Sequence, residues 1–192
     1  MAAPTTEITG HPTDIPGLIV FDVTSMGDER GWFQEKFQKA KLVAAGLPEE
    51  FTVVQNSIAY NQSRGVTRGF HAEAWDKYIS VVTGKILVAY VDLRSGDSFG
   101  KVVTLEVDKN KAIFVPNGVG NSYQTLTEDV YYLYSVNKYW TQEAHKISLF
   151  VNLADPDLAV KWPIPLDQAV LSERDQNHPM LKDIKPMVVS NG

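Results

Sequence analysis

The sequence predicts a mainly β protein, a barrel or two-sheet sandwich with a few short helices at its periphery. Three observations carry that expectation. Short segments of strand-like residues recur between residues 17 and 137, with alternation that suits the two-residue period of a strand. Turn-like clusters separate them, at residues 61–65, 83–84, 95–100 and 116–118. Helical character is confined to residues 38–45 and to short pieces of the last third. Many short strands at regular spacing with few helices is the pattern of sandwiches and barrels.

Taken in order, residues 1–16 are polar and punctuated by proline, and read as a loose arm. A single domain is expected over residues 17–192, the length of the remainder being ordinary for one core. Residues 17–24 form the first strand, residues 28–31 a turn, and residues 32–37 a second strand. A short helix at 38–45 is closed by Gly46 and the Leu47-Pro48 pair. Strands follow at 51–60, 66–72, 77–82, 85–93, 101–107, 112–115, 121–126 and 130–137. Residues 154–186 are proline-rich, and short helical turns packed over the barrel are expected there.

Composition narrows the function. The chain has no cysteine, which removes disulfides, thiolate metal sites and cysteine nucleophiles. A formal net charge of -5 without a basic stripe argues against a nucleic-acid partner. No apolar run approaches the ~20 residues that a bilayer demands, and the opening residues lack the basic and apolar regions of a secretory leader. A cytoplasmic location is therefore expected.

Residues 65–84, GVTRGFHAEAWDKYISVVTG, concentrate the chemistry: Arg68, His71, Glu73 and Lys77 sit close together in a strand-like stretch. A strand carrying charge on one face needs a wet or ligand-filled space beside it, because a buried unpaired charge is costly. An anionic, carbonyl-bearing small molecule in the mouth of a barrel suits that pattern. Individually the residues have plainer readings. A lone histidine is often satisfied by a backbone carbonyl, and strand tyrosines usually pack.

Gly65 and His71 fit the first motif of the cupin jelly rolls, but Glu73 stands where that motif has its second histidine. Pro116 and Gly118 fit the second motif, with Asn121 at its histidine position. The sequence thus resembles a cupin that has kept its turns and lost its metal ligands. At these motif positions one histidine and one glutamate remain, fewer than the three protein ligands of a typical catalytic metal site. No metal and no other cofactor are expected.

Seven stretches carry a more specific resemblance: DERGWFQE (28–35), GVTRGFHAE (65–73), the run 76–101, VPNGVGNSY (115–123), YLYSVNKYW (132–140), ADPDLAVKWP (154–163) and LSERD (171–175). Each alone is weak; in this order they resemble the dTDP-4-dehydrorhamnose 3,5-epimerase family of metal-independent cupins. The resemblance implies a catalytic set of His71, Asp175, Lys77 and Tyr134. His71 would be the base, an imidazole being suited to proton transfer near neutrality. Asp175 would orient it, Lys77 and Arg68 would stabilise charge on a carbonyl oxygen, and Tyr134 would return a proton from the opposite face.

The same resemblance implies that Arg30, Phe33 and Glu35 hold the nucleotide of a dTDP-sugar, reaching it from the partner subunit of a homodimer. Tyr139 or Trp140 would add a stacking face, and Gln55 and Asn56 would supply amides. Arg94 is a phosphate contact or a structural ion pair. Two departures bear on the substrate. Glu73 puts a negative charge near a diphosphate unless it turns away or pairs with Lys77 or Arg68, and Asn121-Ser122-Tyr123 replaces the family's histidine-glycine-phenylalanine. A single-centre epimerase, a 3,4-ketoisomerase on the same nucleotide sugar and a non-catalytic sugar-binding cupin remain as alternatives.

Overall fold

A computed structural model describes residues 6–189; the ends of the expected arm and of the expected domain, residues 1–5 and 190–192, lie outside it. In chain order the strands are β1 (Ile8–Pro12), β2 (Ile19–Val23), β3 (Met26–Asp28), β4 (Gly31–Phe33), β5 (Gln55–Asn61), β6 (Thr67–Ala72), β7 (Lys77–Thr83), β8 (Ile86–Asp92), β9 (Val102–Val107), β10 (Lys111–Val115), β11 (Val119–Thr125), β12 (Val130–Val136) and β13 (Leu149–Phe150). The helices are α1 (Lys39–Ala44), α2 (Gln142–Lys146) and α3 (Glu173–Gln176), with single 3-10 turns at Pro156–Leu158 and Leu181–Asp183.

Two antiparallel sheets make a jelly roll. One has six strands in the order β1-β2-β10-β7-β12-β5, the other five in the order β13-β6-β11-β8-β9. β3 and β4 form a separate two-stranded hairpin. Between the sheets lies an apolar core that includes Ile79, Val88, Tyr90, Ile113 and Tyr132. A second cluster on the outer face of the six-stranded sheet packs Phe21, Tyr78 and Phe114 against Leu42 of α1, Leu47 and Phe51. A third, outside the five-stranded sheet, packs Phe70, Val91 and Leu93 against Val151, Leu153 and Leu158 of the C-terminal cover. Sheets covered on both faces lose their polar alternation, which is why β11 is buried throughout and β7 over its first five residues.

Local signals explain the punctuation. Gln38 caps α1, its side-chain oxygen accepting from the Lys41 amide at 2.8 Å. Gly84 turns β7 into β8 at φ +79, where a Cβ would lie 2.5 Å from Thr127 Oγ1. The C-terminal cover is fastened by two side-chain amides. Gln124 donates to Ile164 O at 2.9 Å and accepts from Ile164 N at 2.8 Å. Asn152 donates to Gln176 O at 3.0 Å and to His178 O at 3.1 Å.

Several expectations need correction. Residues 8–12, expected within a loose arm, form β1 and pair with β2 along their whole length. The strand expected at 32–37 is instead the hairpin β3–β4, ending at Phe33. Of the two readings of Arg94, the structure has the ion pair: its guanidinium bonds the fully buried Asp92 at 2.6 and 2.8 Å. Among the described residues no helix is long and apolar enough to cross a membrane.

Candidate active site

The site begins with an irregularity in β6. Asn121 of β11 pairs with His71, and Tyr123 pairs with Arg68, so two steps along β11 match three along β6. β6 therefore carries one extra residue, a bulge. In an unbroken strand, side chains three apart point to opposite faces. The bulge turns both Arg68 and His71 into the same cavity. Gly69 lies within it at φ +122, and a Cβ there would meet Ser122 Cβ at 2.4 Å and Asn121 O at 2.7 Å.

The cavity, about 230 Å³, lies between the two sheets. β6 contributes Arg68 and His71, β7 contributes Lys77, β11 contributes Asn121 and Tyr123, and β12 contributes Tyr132 and Tyr134. An adjoining space of about 350 Å³ shares His71, Glu73 and Tyr134 and adds Gln55, Trp140, His145, Phe150 and Arg174. The rings of Tyr123 and Tyr132 stack at 4.3 Å, and Tyr132 lies 6.0 Å from Tyr134, so packed aromatics fix the Tyr134 side of the cavity. Arg68 Nε donates to Asn61 Oδ1 at 3.1 Å, and the Tyr123 hydroxyl donates to the same oxygen at 3.1 Å.

Asp175 reaches His71 from the C-terminal cover. Ser172 caps α3 by accepting from the Asp175 amide at 3.1 Å, which aims the carboxylate at β6. Asp175 Oδ1 then lies 2.9 Å from His71 Nε2 and 3.2 Å from His178 Nε2. Burial works to raise the Asp175 carboxyl, but the hydrogen bond and charge of His71, with Ser172 and His178, outweigh it and hold the group below the usual carboxylate range. Burial and the nearness of His71 lower the His178 imidazole against the pull of Asp175, which favours its neutral form. With Nε2–H donated to the carboxylate, His71 presents the lone pair of Nδ1.

Lys77 is 5% exposed at the start of β7. Burial pushes its ammonium down to about 7. Its Nζ pairs with the Glu73 carboxylate, donates to the Asn121 side-chain oxygen and lies 3.5 Å from His71 O. Of the two arrangements open to Glu73 in sequence, the structure has the one paired with Lys77.

The remaining expected residues divide. Gln55 and Trp140 border the adjoining space, and the Trp140 amide donates to Gln55 Oε1 at 3.0 Å. Asn56 is one residue further along β5; it is exposed and lies on the opposite face, because side chains alternate. Tyr139 is 68% exposed and borders neither space. Arg30, Phe33 and Glu35 do not reach the His71 cavity of their own chain. Arg30 and Phe33 sit exposed on the β3–β4 hairpin beside a separate hollow, with Arg30 forked onto Asp28. Glu35 pairs with Lys41 at 2.5 Å and with Thr6.

Sequence reasoning missed His178, Phe150 and Arg174. His178 was readable only as a residue three beyond Asp175, a spacing that a single turn of helix cannot advertise. Its consequence is a trio the cupin motif positions do not contain: donor atoms of His71, Asp175 and His178 all lie within 4.8 Å of one another. Three such donors are the minimum for a catalytic metal, but here both imidazoles bond one carboxylate oxygen, the arrangement of an oriented base.

The family model described as dTDP-4-dehydrorhamnose 3,5-epimerase matches residues 12–183. The chain belongs to the dTDP-4-dehydrorhamnose 3,5-epimerase family. Membership makes it an isomerase of the epimerase type. It is 48% identical to a protein RmlC homolog of Streptococcus pyogenes over 178 residues, 91% of this chain and 89% of that one. It is 32% identical to a dTDP-4-dehydrorhamnose 3,5-epimerase of Pseudomonas aeruginosa, over 84% of this chain and 90% of that one. Among solved structures it is similar to RmlC from Streptococcus suis in complex with dTDP-D-xylose, with a TM-score of 0.90, 47% identity, and coverage of 94% of this chain and 95% of that one. The jelly roll expected of a cupin in this epimerase family is therefore the fold shared with its relatives.

Proposed function

We propose that the chain converts dTDP-4-dehydro-6-deoxy-D-glucose to dTDP-4-dehydro-L-rhamnose by inverting C3 and C5 beside the C4 ketone. One observation carries the reading: an oriented imidazole, a buried ammonium and a phenol (His71, Lys77 and Tyr134) line one cavity with room for a sugar ring. His71 Nδ1 takes the proton from the carbon next to the ketone. The electrons of that C–H bond become the enolate, and its charge collects on the C4 oxygen, where the Lys77 ammonium stabilises it. The Tyr134 hydroxyl returns a proton to the opposite face, and solvent restores the phenol. Asp175 steadies the imidazolium formed in between. Both carbons flank the same ketone, so one acid–base pair serves each in turn. No step calls on an ion or a cofactor.

The partner assignment supports a homodimer. Arg30 and Phe33 are exposed on a hairpin, with Arg30 bonded only to the exposed Asp28 beside it, a place suited to groups that grip the nucleotide bound to a second copy, the guanidinium bonding diphosphate and the ring stacking on thymine. A cytoplasmic enzyme acting on a cytoplasmic nucleotide sugar completes the reading. The test is solvent deuterium exchange during turnover. Label at both C3 and C5 is expected, label at one carbon alone reduces the activity to a single-centre epimerase, and label at neither overturns the proposal.

A further inference from the structure

Lys77 sits where an amine loses its proton easily. It is the first residue of β7, almost fully buried, and desolvation favours its neutral form. A neutral amine cannot balance an enolate. The groups facing it decide whether it stays charged. From β6 come the His71 carbonyl and, across the cavity, Arg68 and the His71 ring; from β11 come the Asn121 amide oxygen and Tyr123; from β12 come Tyr132 and Tyr134. The neighbouring carboxylate of Asp76 is bonded elsewhere, accepting from Asn117 N at 2.8 Å and Asn137 Nδ2 at 2.7 Å. Among the described residues Glu73 is the one carboxylate lining the cavity, and it is paired with Lys77.

The position of Glu73 is built rather than incidental. It follows the last residue of β6, and its carbonyl accepts from Gly118 N at 3.3 Å. The turn beyond it is held by Trp75, 4% exposed, and by Lys138 Nζ, which donates to Ala74 O at 3.1 Å. Its side chain is only 21% exposed, so water screens the pair weakly.

We propose that Glu73 is a positioning residue that keeps Lys77 an ammonium aimed at the ketone oxygen. The pair supplies charge without leaving the empty cavity with a lone buried cation. Glu73 and Asn121 take up two hydrogens of Nζ, and the third makes only a long contact to His71 O at 3.5 Å, which a ketone oxygen can replace. The inference rests on Lys77 serving as the cation of the proposed reaction, and its test separates the two.

In Glu73→Gln, Lys77 loses the neighbour that opposes desolvation. The alkaline limb of kcat should move about one pH unit toward acid, an approximately tenfold loss at pH 8 with turnover at pH 6 within about threefold of wild type. Glu73→Asp, which keeps the charge, should restore much of the limb. Lys77→Met should lose turnover at every pH. A Glu73→Gln profile that overlays wild type, with Lys77→Met inactive, overturns the role of Glu73 alone. A Lys77→Met enzyme with undiminished turnover overturns the underlying reading. A direct NMR titration of the Lys77 Cε signal reads the same change without turnover: a midpoint about one unit lower in Glu73→Gln than in the unaltered protein supports the inference, and an unchanged midpoint overturns it.

Discussion

His71 and Asp175 are 104 residues apart in the chain and 2.9 Å apart in space. The first belongs to a bulged strand of the barrel, the second to a single helical turn laid over it. The carboxylate decides which nitrogen of the imidazole is left free, so the proposed base is only half made by its own strand.

Asp175→Asn should therefore leave the barrel folded and slow the reaction by on the order of 100-fold or more, since an amide can bond the ring in the wrong tautomer. Steady-state kcat on the dTDP-sugar, with circular dichroism to confirm the fold, checks this. Turnover within about threefold of wild type would detach Asp175 from the base.

Tyr134→Phe separates abstraction from inversion. His71 can still remove a proton and give back a deuteron on the same face. Exchange of the C3 and C5 hydrogens should persist while formation of the epimer falls on the order of 100-fold or more. Loss of exchange in parallel with inversion would mean that Tyr134 does not act separately after the base.

Mixing two impaired variants tests the shared site. Arg30→Ala should raise KM more than it lowers kcat, and His71→Ala should abolish turnover. In randomly mixed dimers about a quarter of the sites combine an intact Arg30 with an intact His71. Recovered nucleotide affinity in that fraction supports the partner's contribution; no recovery after verified subunit exchange counts against it.

Stability offers a test away from the chemistry. Burial works to raise the Asp92 carboxyl, but Arg94 and Ser98 bond it and hold it below the usual range. A lowered carboxyl stabilises the fold in full above its unfolded value near ~3.9 and loses that contribution as pH falls through the folded value. In Arg94→Met burial is opposed only by Ser98 and the backbone amide of residue 94, and the fold holds the Asp92 charge far less well. The variant should lose about 2–4 kcal/mol at pH 7, with the deficit shrinking as pH drops toward 4. Urea melts at several pH values measure it, and a deficit that does not change with pH would contradict the ion-pair account.

Gly69→Ala joins stability to site. Its Cβ would meet β11 backbone atoms at 2.7 Å, on a φ that side chains rarely adopt. A loss of about 2–4 kcal/mol is expected, with turnover reduced because the bulge that aims His71 must deform. A fully active variant with wild-type stability would show that the bulge is not required.

What could be read from the letters follows what local chemistry determines. β6 to β12 were legible because glycine and asparagine turns bracket β-branched and aromatic runs, and α1 because Gln38 and Gly46 bracket it. β1 was hidden because an edge strand exposed along much of its length carries polar residues and can end on a proline. Asn56 failed by one residue, the smallest slip that reverses a side chain. His71 and Lys77 stood out as charge in a strand-like stretch, whereas Asp175 and Tyr134 were legible only through likeness to a family; nothing in the spacing said that β6 bulges or that His178 would share the carboxylate. The pairing of Glu73 with Lys77 was one of two options on paper, and the turn held by Gly118 selects between them.

The C-terminal cover is mostly irregular backbone, tied down by the amides of Gln124 and Asn152. Segments of that kind come loose at a smaller free-energy cost than the sheets beneath them. Warming or a light protease treatment should thus retire the catalyst early, leaving an intact barrel that still carries His71 and no longer knows which of its nitrogens to offer.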